Sequence, residues 1–201
     1  MTMVTPEMID HYTELSERLK EVNSYICNSM GWIVLRGRDT SLSVEDVVRR
    51  LGVDPGLTRV QPLLKNGEGA VAEQVGTDVI VALANVFVPA SAMPALSQNA
   101  EVWGFWYLVN NTNSLFYAAD GHLVTEVDVW SPYPDERVGT DPHALDAVLH
   151  ELQARSEAEH AGEDAPDCID MAFATVEALT GARLTAEHFT RPLPWFLPRL
   201  T

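Results

Sequence analysis

Apolar residues run up to the pair Asp120-Gly121 and resume just after it, in the stretch NSLFYAADGHLVTEVDVW over 113–130. Asp-Gly between two apolar runs is the strongest short-range hairpin signal, because a type I′ turn needs positive φ at both central residues. The pattern predicts an antiparallel hairpin in the middle of the chain. Residues 69–75 and 78–84 flank Gly76-Thr77 and predict a second hairpin, its second strand mostly buried. Trp32-Ile33-Val34-Leu35 is short and wholly apolar, which places it centrally in a sheet. Residues 101–109 form a strand dense in aromatics, with Trp103, Phe105 and Tyr107 on one face and Trp106 and Leu108 on the other.

Helical spacing alternates with these strands. Thr5-Pro6-Glu7 opens a helix with a hydroxyl cap, proline at the first position and an acid at the positive dipole end. Met8, Tyr12, Leu15, Leu19 and Val22 then mark its buried face. Ser43-Val44-Glu45-Asp46 reads as a capping box, and Gly52 stops the helix it opens. Residues 57–68 read as a loop and 89–96 as a short helix. Asp141-Pro142 predicts a helix through about Arg155, with Leu145, Val148, Leu149 and Leu152 inward. Residues 156–166 are polar and acidic, and read as a mobile connection. A helix over 167–179 ends at Thr180-Gly181, and a last short one starts near Thr185. The tail RPLPWFLPRL has three prolines, which argues against regular helix or central strand.

The order of these segments is familiar. WIVLRG is followed by SVEDVVRRLGVDPG, then GTDVIVALANVF, LFYAADGHLVTEVDVWSP, GTDPHALDAVLHEL and ATVEALTGARLTAEHF. It resembles an actinobacterial family of uncharacterised proteins, domain of unknown function 6461, over about residues 28–190. RRLGVDP, YAADGHLVT and ALTGARLT carry the likeness most specifically. The family pattern has an acid and a glycine after the buried strand, where this chain reads ALANVF. The resemblance implies an α+β fold and no particular activity. The expected architecture is one domain over 1–201: an N-terminal helix within 1–27, the family-like core at 28–190 and a Pro-rich tail at 191–201. At its centre is a mostly antiparallel sheet of about five or six strands, with helices packed mainly on one face.

Charge adds a second theme. The net charge is −16. Residues 120–170 hold fourteen acids against two bases, Arg137 and Arg155, whereas residues 1–119 hold thirteen acids and eight bases. A field of this sign repels phosphate backbones, which disfavours nucleic acid as a partner, and draws in a basic protein. Asp120 belongs to a turn and Asp141 to a helix cap. Glu151, Glu157, Glu159, Glu163 and Asp164 have no such local duty and are the candidate partner-binding acids. Trp103, Trp106 and Trp195 join them, because tryptophan dominates interface energetics. Burial in the core is the competing reading for the aromatic strand.

Candidates for chemistry are weaker. His143 and His150 sit seven apart on one predicted helix, a spacing foreign to zinc sites, and His160 follows. The serines lack a nucleophile elbow, and KNGEGA has neither the strand nor the Lys-Ser/Thr of a phosphate loop. Cys27 and Cys168 form no CxxC pair. Arg36, Arg38, Arg49 and Arg50 are expected to pair with nearby acids. No catalytic, cofactor-binding or metal-binding residue is therefore assigned, and no cofactor is expected. No apolar run is long enough to span a membrane, and the acid-bearing N-terminus is unlike a signal peptide. The expected setting is cytoplasmic. The expected function is non-enzymatic protein binding, in its sharpest form an immunity- or antitoxin-like inhibitor of a cationic toxin or nuclease domain. The alternatives are an accessory or regulatory ligand-binding protein of actinobacteria and an enzyme of unrecognised type.

Overall fold

β-Branched and aromatic runs separated by turn residues assemble into one antiparallel sheet. The computed structural model describes residues 3–160 and 167–199. The strands are β1 (Met30–Gly37), β2 (Arg59–Gln61), β3 (Gly69–Val75), β4 (Asp78–Ala84), β5 (Ala100–Tyr107), β6 (Asn113–Ala119), β7 (His122–Val127) and β8 (Leu193–Phe196). Their order across the sheet is β2-β8-β3-β4-β1-β5-β6-β7. β1 lies between β4 and β5, as its unbroken apolar sequence predicts. The β6–β7 hairpin closes with Ala119 opposite His122, leaving Asp120 (φ 51°) and Gly121 (φ 81°) as a two-residue turn with the I′ signature. In the β3–β4 hairpin only Gly76 (φ 60°) has positive φ, which matches a type II′ turn.

The helices are α1 (Pro6–Val22), α2 (Val44–Arg50), α3 (Met93–Leu96), α4 (Asp146–His160), α5 (Cys168–Thr180) and α6 (Glu187–Thr190). The α1 cap forms as read: the Thr5 hydroxyl accepts from the Met8 amide. Ser43 and Asp46 make a reciprocal capping box on α2. Because side chains alternate across a strand, the sheet feeds two cores. Trp32, Val34, Ile80, Ala82, Trp103 and Phe105 point to one face, covered by α1, α4, α5 and α6. Ile33, Leu35, Val81, Leu83, Val102 and Trp106 point to the other, covered by the short α2 and α3. α5 packs on β5 with α1 and α4 against it, so nearly every residue of that helix is buried. Its Phe173 meets Tyr12 of α1 at 5.5 Å and Phe105 of β5 at 5.0 Å between ring centres.

Three expectations need correction. The sheet has eight strands rather than five or six. The two extra ones are β2, inside the expected loop, and β8, inside the Pro-rich tail. β8 tolerates Pro194 because its pairing with β3 involves only Trp195 and Phe196, which keep their amide hydrogens, while Pro194 faces Val60 of β2. The helix expected from Asp141-Pro142 begins at Asp146 instead, after a turn in which the Asp141 carboxylate accepts from the His143 amide. It also runs on to His160, into the stretch expected to be mobile; residues 161–166 lie outside the described residues.

Candidate functional site

The helical layer is where the acids collect. On α1, Glu7, Asp10, Glu14, Glu17 and Glu21 are all exposed, against the bases Arg18 and Lys20. The helical period that buries Ile9, Tyr12, Leu15 and Leu19 turns these acids outward. α4 presents Asp146 and Glu157 to solvent and Glu151 half-buried. α1 and α4 both pack on α5, and a shallow groove of about 250 Å³ runs between them, lined by Pro6, Ile9, Glu151, Arg155 and Met171. Exposed acids thus stand on two helices that lie more than a hundred residues apart in sequence and pack on the same third helix.

Many acids of 120–146 are engaged locally. Glu126 accepts from Ser114, Asp128 from Asn113 and the Trp130 amide, and Glu136 from Ser131. Asp146 binds Arg137 and His143, which hold its carboxyl below the usual carboxylate range, the His143 bond contributing most. Among the described residues neither a hydrogen bond nor an ion pair engages Glu151, and Glu157 accepts only from Gln153. The side chain of Glu159, and Glu163 and Asp164 altogether, lie outside the described residues. Trp103 (7% exposed) and Trp106 (6%) are buried in opposite cores. Trp103 stacks on Tyr117 at 5.3 Å beneath the Arg36 guanidinium. As core residues these two offer almost no surface to a partner. Trp195 is half-buried, and its indole nitrogen donates to the Glu68 carbonyl at 3.2 Å, so the tail folds back onto the sheet.

The polar cleft of about 390 Å³ at the amino end of α5 went unnoticed in the sequence. Thr13, Ser16, Glu17 and Lys20 of α1, Tyr107 at the end of β5, and Asp167, Ile169 and Asp170 line it. An adjoining groove of about 270 Å³ shares Tyr107, Asp167 and Ile169, and adds Leu108, Val109 and Trp130. Asp170 is 8% exposed and accepts from the Thr13 hydroxyl at 2.7 Å and from Ser16. Burial, with Asp167 nearby, pushes its carboxyl above the usual range; the Thr13 bond and the Lys20 charge oppose the shift. Seven residues on, Glu177 (5% exposed) points to the same side of α5. Unlike Asp170 it has a guanidinium: Arg183 donates to it at 2.6 Å, and Tyr12 at 2.9 Å. Two carboxylates seven apart in the apolar CIDMAFATVEAL were the available sequence signal.

The remaining candidates fall to structural roles. His143 lies before α4, so it shares no helix face with His150, and the side chain of His160, like that of Cys27, lies outside the described residues. Arg36 grips Asp78 through two donors at 2.8 and 2.7 Å, Arg38 binds Asp120 at 2.6 Å, and Arg49 binds Glu45 and Asp46. Arg50 departs from expectation and donates to the Leu96 carbonyl, tying α2 to α3. Among the described residues no group of three or more His, Cys, Asp or Glu could hold a metal ion, and no helix is long and apolar enough to cross a membrane.

No curated protein and no solved structure matches the chain. A model described as a family of unknown function, DUF6461, matches residues 71–192, from β3 through α6. The match includes the YAADGHLVT and ALTGARLT segments and the β5 and α5 walls of the cleft; RRLGVDP and the α1 wall lie outside it. With more than half its length covered, the chain belongs to the family of unknown function DUF6461.

Proposed function

We propose that this protein acts by binding a basic protein partner through its helical face, in the manner of an immunity- or antitoxin-like inhibitor that occludes a cationic toxin or nuclease surface. The observation that carries this reading is that exposed acids stand on both α1 and α4, the two helices that pack on α5. Five acids against two bases on α1 cost self-repulsion, and complementary association offsets that cost. The reading supplies a mechanism: a polyanionic face competes with the phosphate backbone for the same cationic surface. Trp103 and Trp106 have no part in it. Glu151 and Glu157 do, together with Glu14 and Glu17 of α1.

The test is capture on the immobilised protein from a lysate of its native host at low ionic strength. Retention of a defined basic protein that salt elutes, and that a Glu14→Gln, Glu17→Gln, Glu151→Gln, Glu157→Gln variant fails to retain, is the expected result. Equal retention by the variant would remove the basis of the proposal.

A further inference from the structure

We propose that the cleft at the amino end of α5 is a receptor for an arginine side chain of the partner, with Asp170 as the carboxylate that meets the guanidinium. This rests on the reading that the helical face binds a basic protein, and it locates the anchor on that face.

Three features converge. Glu17, Asp167 and Asp170 line the cleft against one ammonium, Lys20, so the lining complements a cation. Among the described residues Asp170 makes no ion pair; its donors are the hydroxyls of Thr13 and Ser16. Glu177, buried on the same side of the same helix, shows what satisfies such a carboxylate here: the guanidinium of Arg183. The structure therefore holds an internal example of the contact the cleft is shaped to receive. Finally, the floor of the cleft continues through Tyr107 and Ile169 into the groove beside Leu108, Val109 and Trp130. A guanidinium is planar, weakly hydrated and stacks on aromatic faces, and its alkyl stem covers apolar surface. A lysine ammonium is more strongly hydrated and gains less from such a wall.

Geometry also separates this site from the surrounding acids. Glu14 and Glu157 are exposed, where ion pairs contribute little and salt screens them. Asp170 is nearly buried, where a charge-assisted hydrogen bond is stronger and truncation on either side costs more. Long-range acids set the rate of encounter, and Asp170 sets how long the complex lasts.

The experiment titrates the full chain, labelled with ¹⁵N, with N-acetyl-arginine amide and N-acetyl-lysine amide. Saturable shifts confined to the amides of Tyr107, Asp167, Ile169 and Asp170 and the facing turn of α1 are expected, with tighter binding of the arginine probe. Asp170→Asn is isosteric and should weaken that probe by about tenfold or more, the loss of one charge-assisted hydrogen bond. Asp167→Asn keeps a competent helix cap while removing a charge, so it provides a second variant that folds. It should weaken the probe severalfold, and a change at the exposed Glu68 of the loop before β3, Glu68→Gln, should not. Shifts scattered along α1 and α4, or equal affinity in Asp170→Asn, would overturn the assignment. A partner that still binds Asp170→Asn with unchanged lifetime, yet is lost by the four-acid surface variant, would refute the cleft and leave the acidic face standing.

Discussion

Removing one oxygen from Tyr12 tests how the helical layer is held together. The phenol donates to Oε2 of Glu177 at 2.9 Å and accepts from the Leu184 amide at 3.4 Å. Arg183 occupies the other carboxylate oxygen, Oε1, at 2.8 Å. One side chain on α1 thereby ties α5 and the segment after it to the first helix. Burial, with Glu177 beside it, pushes the Tyr12 phenol far above its ordinary range, so it remains a donor at any working pH. Tyr12→Phe keeps the ring and its stacking on Phe173, so it opens no cavity. What is lost is a hydrogen bond to a buried charge, about 1.5–3 kcal/mol. For a domain of this size that lowers Tm by roughly 4–8 °C. Urea unfolding followed by tryptophan fluorescence measures it. A double-mutant cycle with Glu177→Gln should show a coupling of about 1 kcal/mol, because the two groups touch directly. A Tyr12→Phe variant within about 0.5 kcal/mol of wild type would refute the claim that this contact fastens α1 to α5.

Two further outcomes are expected. Gly121→Val places a β-branched residue at φ 81° in the β6–β7 turn and should cost about 1–2 kcal/mol in thermal unfolding; a Tm equal to that of wild type would contradict the I′ assignment. His188 of α6 is buried with Nδ1 accepting from the Thr185 amide at 3.0 Å, Nε2 3.6 Å from Glu73 of β3, and Arg191 and Glu187 nearby; burial lowers its pKa from 6.5. The unfolded chain therefore binds more protons, so this contribution to stability is complete above about pH 6.5 and is lost as pH falls through the folded value. His188→Gln should flatten that acid limb relative to wild type, and an unchanged pH profile would remove His188 from the account.

Much of the fold was legible because its signals are local. The Asp120-Gly121 turn, the Ser43-Asp46 capping box and the Thr5 cap each act within a few residues, and all three form. The unbroken apolar run of β1 announced a central strand, which it is. β2 and β8 were not legible, since a three-residue strand and a proline-bearing one become strands only through their pairing with each other and with β3. The helix after Asp141 read too early because an aspartate turn and a helix cap use the same residue type. The candidate site divides the same way. Acids on α4 stood out as a run in sequence. Those of α1 joined them only through packing on α5, and the cleft needed α1, β5 and α5 together.

The central claim is that the acids of the helical face draw in a basic partner. The most direct measurement is the association rate of the captured partner as a function of ionic strength, for wild type and for the variant with Glu14, Glu17, Glu151 and Glu157 all changed to Gln. Electrostatic steering predicts a wild-type rate that falls steeply with added salt, and a variant that is slower at low salt with a flatter dependence. Identical rates and slopes for the two proteins would contradict the claim and reduce the acidity of this face to solvation.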